Sequence, residues 1–337
     1  MKKLAILLAA AALPLTATVP AYAQKAKGPE LSKTDKKAES SSDKLSVTLP
    51  EGLKKSMFGK RDLQVLAVQV MLDRSNHSPG VIDGYSGGNT ERAVAAYRKA
   101  RGLDGSGIDG TLLRSLLETQ SGDIFQTYTI TESDVSQKFY DIPDDFAKKA
   151  ELDRLGYKDA KEMLAERFHM DQKFFSAINP GADFMKAGTK IHVISKDDGK
   201  VSGDIAKIEV RKSEGSVVAL DADGKMIASY PATIGSSEFP SPSGDMTVAA
   251  VAPEAAYYFN PDNQEWGPDK QFKIAAGPNN PVGGVWIDLS KDGYGIHGSP
   301  EPQWIGKTNS HGCVRLTNWD ARELADAVTQ GVEVVFM

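Results

Sequence analysis

The spacing of apolar residues changes along the chain, and each change predicts a different kind of domain. Apolar positions recur at helical spacing from about 56 to 120. From about 125 to 195, short alternating runs flank two helical ones, and from 204 onward short alternating runs dominate. We therefore predict a multidomain chain that contains a small three-helix domain (56–120), a small α+β module (125–195), and a mainly-β, sandwich-like domain (204–337) with one late helix.

The helical region is predicted from one apolar face and from its polar cap residues. Leu63, Leu66 and Val70 fall on the same face of a first helix. Thr90 is expected to cap a second helix through its hydroxyl group, and residues 111–117 predict a third. Three short helices joined by glycine-containing turns follow from this pattern.

Two local features of the third region are a hairpin turn and a helix. Asp221 and Gly224 separate two strand-like runs, which predicts a β-hairpin. Thr317, followed three residues later by Asp320, resembles a capping box at the start of a helix. Gly331 is the expected end of that helix.

The first residues predict a secretory signal peptide. Two lysines precede an apolar run over residues 4–13, and a small-residue Ala-Tyr-Ala cleavage site ends at residue 23. The apolar run is too short to cross a bilayer, which takes about 20 residues. We expect residues 1–23 to be removed, and residues 24–55, rich in Lys, Ser, Asp and Glu, to form a flexible linker.

Charge limits the classes of partner. The formal net charge is −5, and loss of Lys2 and Lys3 with the signal peptide changes it to −7. A nucleic-acid-binding protein usually presents a basic face, so no nucleic-acid partner is expected. The mature chain is expected to be soluble and to act outside the cytoplasm.

Cys313 is the single cysteine of the chain. An exported protein with one cysteine forms no internal disulfide, so this thiol is either inert or a reactive nucleophile. A free thiol has a pKa of about 8.5, and an imidazole that takes its proton would activate it. His297 and His311 both lie near Cys313 in sequence, and Gly312 would let backbone amides converge on an oxyanion. A zinc site of these two histidines and Cys313 lacks a further ligand at suitable spacing, so neither metal nor cofactor is expected.

The residues around Cys313 resemble a known family. A His-Gly pair, a gap, and then a Ser-His-Gly-Cys-Val-Arg run is similar to the L,D-transpeptidase catalytic domain, also called the YkuD domain; here it reads His297-Gly298 and Ser310-His311-Gly312-Cys313-Val314-Arg315. The resemblance extends over about 204–337.

This resemblance implies a role for each residue of the motif. Cys313 would be the nucleophile and His297 the general base and acid, with the Gly298 carbonyl group orienting the His297 ring. The oxyanion hole would be made by the amides of His311, Gly312 and Cys313. Residues expected to hold the site or the substrate are Ser310 and Arg315, together with Trp304, a candidate lid on a Gly/Pro-rich loop.

The two preceding regions resemble modules that bind the cell wall. The Asp83-Gly84 turn, followed by Gly87, is similar to that of a three-helix peptidoglycan-binding domain. The order strand, helix, helix, strand over 125–195, with an Asn-Pro-Gly turn at 179–181, resembles a LysM glycan-binding module. An insertion around residues 139–161 interrupts the LysM-like pattern.

Together these resemblances imply a peptidoglycan L,D-transpeptidase of the periplasm, associated with the cell wall. Its thiolate would be acylated by a stem tetrapeptide with loss of D-alanine, and the acyl group would pass to an amine. The acceptor stays open between a neighbouring stem peptide, which gives a 3→3 crosslink, and an outer-membrane protein. Alternatives are an L,D-carboxypeptidase or endopeptidase, in which water is the acceptor, and a non-catalytic wall-binding protein.

Overall fold

The computed structural model describes residues 44–197, 200–263 and 267–337. The predicted signal peptide and most of the predicted linker lie outside these residues. The described residues belong to one compact unit. In this part of the chain, none of the helices combines the length and the apolar character that a membrane span needs.

Three helices form the first part of the described chain: α1 (Leu63–Asp73), α2 (Gly88–Arg101) and α3 (Gly110–Thr119). The Asp62 carboxylate caps α1 by accepting backbone N–H groups of the first turn. The prediction that Thr90 caps α2 is wrong, because α2 begins at Gly88 after an extended Gly87. The Thr90 hydroxyl instead accepts a hydrogen bond from Gln69 Nε2 of α1 at 3.0 Å.

The region after α3 contains one antiparallel strand pair with helices between its strands. β1 pairs with β2 in the register Phe125↔Ile194 to Thr129↔Lys190. The two predicted helices are present as α6 and α7, preceded by two shorter helices. The elements are β1 (Phe125–Thr129), α4 (Glu132–Ser136), α5 (Phe146–Ala150), α6 (Ala160–Arg167), α7 (Gln172–Ile178) and β2 (Lys190–Ile194). A LysM identity for this region stays a prediction.

One hydrophobic core serves both of these regions. Buried side chains from α1 to α3 and from β1 to β2 belong to a single cluster. At its centre the Phe58 ring lies 5.8 Å from that of Phe125 and 5.9 Å from that of Phe174. Because the apolar faces of the two regions cover each other, burial stabilises them together.

Eight of the described strands form the sheet of the C-terminal region, in the order β11-β10-β9-β6-β12-β3-β4-β5. The hairpin predicted around Asp221 joins β4 to β5. A separate pair, β7 and β8, lies outside this order. The strands are β3 (Lys207–Arg211), β4 (Ser216–Leu220), β5 (Met226–Pro231), β6 (Gly244–Ala252), β7 (Tyr257–Phe259), β8 (Phe272–Ile274), β9 (Trp286–Leu289), β10 (Gly295–His297), β11 (Val314–Arg315) and β12 (Glu333–Phe336).

The late helix α8 (Asn318–Ala327) packs against β9 and β10. The Thr317 hydroxyl caps it by accepting the Asp320 N–H, as predicted. Its predicted end at Gly331 is wrong, since Val328 already has an extended backbone. The mainly-β character with one late helix is confirmed, and its buried residues form a second core.

The insertion at 139–161 packs on the C-terminal region. The Phe146 ring contacts the rings of Phe259 at 5.5 Å and Phe272 at 6.4 Å. The Leu155 N–H donates to the Ala276 carbonyl oxygen at 3.0 Å, and the Asn279 N–H donates to the Leu155 carbonyl oxygen at 2.9 Å. The insertion therefore holds the loop that precedes β9.

Candidate active site

Cys313 and His297 come together because β11 and β10 are neighbouring parallel strands. Their register pairs Ile296 with Val314 and His297 with Arg315. Cys313 directly precedes β11, and residues two apart on a strand face the same side. His297 and Arg315 therefore lie side by side on one face of the sheet edge, and Cys313 stands at the start of the strand that carries Arg315.

The His297 imidazole is buried and held in one tautomer. Its Nδ1 lies 2.7 Å from the Gly298 carbonyl oxygen. A carbonyl oxygen only accepts hydrogen bonds, so Nδ1 carries the proton and Nε2 keeps its lone pair. The Trp286 ring stacks on the imidazole, with centroids 5.3 Å apart.

Burial also fixes the charge of His297. Desolvation lowers the pKa of His297 from 6.5 to about 3, and the positive charge of Arg315 acts in the same direction. The hydrogen bond to Gly298 opposes these effects without reversing them. His297 is therefore a neutral base at physiological pH.

The Cys313 thiol is partly buried and also neutral. Desolvation raises the pKa of Cys313 above 9.0, while the Gly295 backbone N–H and the Arg315 charge act to lower it. The thiol donates to the Gly293 carbonyl oxygen, with the sulfur 3.7 Å away. Both members of the pair thus rest uncharged, and activation requires proton transfer.

Two serines hold the turn that carries Cys313. The Ser310 hydroxyl donates to the Cys313 carbonyl oxygen at 2.5 Å and accepts the Gly312 N–H at 3.2 Å. The Ser241 hydroxyl donates to the Gly312 carbonyl oxygen at 2.6 Å and accepts the Gly235 N–H at 3.0 Å. Gly312 has a φ of +115°, which side-chain-bearing residues rarely adopt. Of the three amides expected in an oxyanion hole, that of Gly312 already donates to Ser310.

His311 does not join the buried pair. Its side chain is exposed, and its ring lies 4.8 Å from the ring of Phe239. Partial burial, followed by the charge of Arg315, lowers the pKa of His311. This placement is compatible with the expectation that His311 contributes its backbone.

Arg315 and Trp304 lie on segments that flank the pair. The Nε atom of Arg315 is buried and has no hydrogen-bond partner among the described residues. Trp304 ends a 3-10 turn, Pro302–Trp304, between β10 and the Cys313 turn, and its side chain is 52% exposed. Trp304 is therefore available for contact with a ligand.

Among the described residues, no group of three or more His, Cys, Asp or Glu side chains is placed to hold a metal ion.

Comparisons with known families bear directly on this region. Residues 206–336 match the YkuD family model, described as "L,D-transpeptidase catalytic domain". This region is a YkuD-family domain. Residues 61–117 match a model described as "Putative peptidoglycan binding domain". Both families are those that the sequence motifs resemble.

Relatives carry the same family name. The "Putative L,D-transpeptidase YkuD" of Bacillus licheniformis is 27% identical over 176 residues, which are 51% of this chain and 90% of that protein. Its namesake in Bacillus subtilis is 49% identical over 57 residues, 17% of this chain and 35% of that protein. A solved structure described as "L,D-transpeptidase from Mycobacterium smegmatis" is 17% identical, with a TM-score of 0.34 over 45% of this chain and 74% of that chain.

Sequence reasoning missed a polar support beneath the histidine of the YkuD domain. Asn318 Oδ1 accepts the Ser299 N–H at 2.9 Å, and Asn318 Nδ2 donates to the Pro278 carbonyl oxygen at 3.1 Å and to Glu166 Oε2 at 3.0 Å. A Cβ atom on Gly298 or Gly283 would collide with Asn318. The only sequence signal was that Asn318 follows the helix cap Thr317.

Glu166 reaches this support from α6, far away in sequence. Its Oε1 accepts the Tyr157 hydroxyl at 2.9 Å. Burial raises the pKa of Glu166 to about 7, although the hydrogen bonds from Tyr157 and Asn318 act to lower it. A carboxyl group from the middle region thus lies under the loop that orients His297.

Proposed function

We propose that this chain is a peptidoglycan L,D-transpeptidase with Cys313 as the nucleophile and His297 as the general base and acid. The observation that carries the proposal is a neutral, buried His297 whose Nδ1–H is held by Gly298, on the strand beside Cys313. Such an imidazole keeps a free Nε2 lone pair for the thiol proton. The match of residues 206–336 to the L,D-transpeptidase catalytic domain supports the same reading.

The proposed reaction has two acyl-transfer steps. In the first, His297 Nε2 takes the thiol proton while Cys313 Sγ attacks the carbonyl carbon of the third residue of a stem tetrapeptide. The bond to D-alanine then breaks, and the His297 imidazolium gives its proton to the leaving amine. In the second, His297 takes a proton from an acceptor amine as the amine attacks the thioester, and the thiol is regenerated.

Other residues of the motif would support these steps. Backbone amides of the turn at His311 and Cys313 are the proposed donors to the oxyanion. Arg315, whose charge already acts on both members of the pair, would bind a substrate carboxylate. Ser310 would hold the turn in shape, and Trp304 would cover the donor peptide.

The peptidoglycan-binding domain would keep the enzyme on its polymer. Attachment of a catalytic domain to an insoluble substrate raises the effective substrate concentration. We further propose export by the signal peptide at 1–23 and action in the periplasm at the cell wall. The acceptor amine would belong to a neighbouring stem peptide or to an outer-membrane protein.

Digestion of purified sacculi after incubation with the mature chain tests the proposal. Mass spectrometry of the muropeptides should reveal 3→3 crosslinked dimers and released D-alanine with the wild type, and neither with Cys313→Ala. A carbapenem should add covalently to Cys313, as an intact-mass measurement would detect. Unchanged muropeptides and no adduct from a folded wild-type protein would overturn the proposal. Loss of tetrapeptides without crosslinks would instead favour the carboxypeptidase alternative.

A further inference from the structure

The N-terminal part of α2 contacts the segment that joins β10 to the Cys313 turn. Asn89 Nδ2 donates to the Ile305 carbonyl oxygen at 2.9 Å. Arg92 Nη2 donates to the Gly306 carbonyl oxygen at 2.9 Å and also to Asn89 Oδ1. Two side chains of the peptidoglycan-binding domain therefore bond to the backbone of the YkuD domain.

The fit at this contact is close. Gly306 has a φ of +70°, and a Cβ atom on it would collide with Asn89 Oδ1 and lie 2.8 Å from Arg92 Nη2. Ile305 is buried, with 2% of its surface exposed. A side chain at Gly306 would strain the backbone and would displace Asn89 and Arg92 from their hydrogen bonds, so this contact depends on glycine.

The same segment is tied to the strand that follows Cys313. The Gly306 N–H donates to Thr233 Oγ1 at 2.9 Å, and the Thr233 hydroxyl donates to the Trp304 carbonyl oxygen at 3.3 Å. Thr233 and Arg315 exchange two backbone hydrogen bonds, each 2.9 Å long. The segment thus lies between α2 on one side and the strand of the nucleophile on the other.

The Trp304 side chain projects from this doubly held segment. The next two residues, Ile305 and Gly306, accept hydrogen bonds through their carbonyl groups, and Trp304 accepts one through its own. The exposed indole therefore remains available to a substrate. Any contact that the indole makes depends on where α2 holds the backbone. A small displacement of a substrate-positioning group is enough to slow a reaction markedly.

We propose that Asn89 and Arg92 are positioning residues of the donor site, so that the peptidoglycan-binding domain holds the Trp304 segment against the stem peptide as well as tethering the enzyme to the wall. This inference rests on the proposed function. It differs from tethering in one respect: it predicts that the helical domain affects the reaction of a substrate that has no glycan strand.

The experiment uses the full mature chain and a soluble stem tetrapeptide as donor. Asn89→Ala and Arg92→Ala should each lower kcat/KM for D-alanine release by about five-fold, mostly through KM, since each removes a hydrogen bond worth about 1 kcal/mol. Alkylation of Cys313 by iodoacetamide, which needs no peptide site, should keep its wild-type rate. Lys99→Ala, on an exposed position two turns further along α2, is the matched control and should behave as wild type.

Asn89→Asp guards against misfolding, because it keeps the size of the side chain and the oxygen that accepts from Arg92, while its carboxylate replaces the donor to Ile305. It should lose activity like Asn89→Ala at an unchanged melting temperature. Wild-type kcat/KM on the soluble peptide in folded Asn89→Asp and Arg92→Ala would overturn the inference, even if activity on sacculi fell. An inactive wild type, without D-alanine release or an acyl adduct, would instead overturn the proposed function.

Discussion

Burial sets the charge of Cys313 and His297 before any substrate binds. The pKa of the thiol is raised and that of the imidazole is lowered to about 3, so neither partner is ionised near neutral pH. A preformed thiolate–imidazolium pair would need the opposite shifts. In the proposed mechanism, His297 therefore removes the proton during attack.

This neutral pair predicts the pH dependence of two reactions. Alkylation of Cys313 by iodoacetamide requires the thiolate, so its rate should be low at pH 7 and should rise with an inflection above 9.0. In the proposed mechanism, acylation by a donor peptide uses neutral His297, which persists as pH falls until about 3. Acylation should therefore stay level between pH 5 and pH 8. An alkylation inflection below pH 7 would contradict the neutral pair.

Ser241 is predicted to matter through the Cys313 turn. Ser241→Ala leaves the buried Gly312 carbonyl oxygen and Gly235 N–H without their partner. Unpaired buried groups cost about 1–3 kcal/mol each, so we expect acylation to slow by roughly 10-fold or more and the melting temperature to fall. Ser243→Ala, at an exposed position in the same loop, is the control and should change neither quantity. Equal effects of the two substitutions would argue against this role.

The sequence predicted the residues of the motif but not their supports. Cys313 and His297 were recognised because short motifs carry them. Asn318 and Glu166 were missed because they meet across 152 positions, and a single sequence contains no signal for such a pairing. Local chemistry can be read along the chain, whereas partners that depend on tertiary contacts cannot.

At the scale of elements, predictions succeeded where the cause was local. The Asp221 hairpin and the Thr317 cap depend on neighbouring residues, and both were predicted. The Thr90 cap failed because its hydroxyl bonds to Gln69 on another helix. Tertiary contact thus overrode a local preference at the start of α2.

The link between α6 and α8 predicts a difference between two substitutions of Glu166. Glu166→Gln keeps an oxygen for Asn318, and its amide can donate to a rotated Tyr157 hydroxyl, so stability in urea should change by less than about 1 kcal/mol. Glu166→Ala leaves both partners unpaired beside a cavity and should cost roughly 2–4 kcal/mol. It should also slow acylation, because Asn318 supports the loop after His297. Equal losses of stability in the two variants would contradict this account.

At the scale of the whole molecule, the helical region packs on the YkuD domain along the segment that follows α1. The Ser78 N–H donates to the Ser229 carbonyl oxygen at 2.8 Å, and the Ser229 N–H donates to the Asn76 carbonyl oxygen at 2.8 Å. Family resemblance identified the regions, but it did not predict this junction. The residues that form this junction belong to different regions, so the residue pattern within either region does not predict the contact.

Two acidic side chains of α8 lie at this junction, Asp320 buried and Glu323 half-buried. Desolvation raises the pKa of Asp320 to about 7 and that of Glu323 to about 8, and Asp320 contributes to the shift of Glu323. Glu323 Oε1 accepts the Tyr230 hydroxyl at 2.8 Å and the Asn76 amide at 3.2 Å. Near neutral pH, the Glu323 carboxyl group is thus mostly protonated and that of Asp320 is in the middle of its titration.

These raised pKa values predict that stability falls as pH rises. An acid with a higher pKa in the folded state keeps a proton that the unfolded chain has released, so its stabilising effect is lost as pH rises through the folded value. The pKa values of His77 and His297 are lowered to about 4 and about 3. These two residues therefore destabilise the fold only below about pH 6.5, where histidine in the unfolded chain binds a proton. Between pH 6.5 and 8.5 the acids act alone, and the melting temperature should decrease.

Glu323→Gln isolates the contribution of one carboxyl group to this slope. The amide oxygen of glutamine can accept from both Tyr230 and Asn76, so the contacts persist while the titration disappears. Between pH 6.5 and 8.5, the melting temperature of Glu323→Gln should fall less than that of wild type. The melting temperature of Asp326→Asn, on the exposed side of the same helix, should fall as much as that of wild type. A wild-type slope in Glu323→Gln would show that the buried carboxyl group does not titrate with unfolding. Since the junction joins the helical region to the YkuD domain, its loosening at high pH should also be seen as faster proteolysis near residues 73–78.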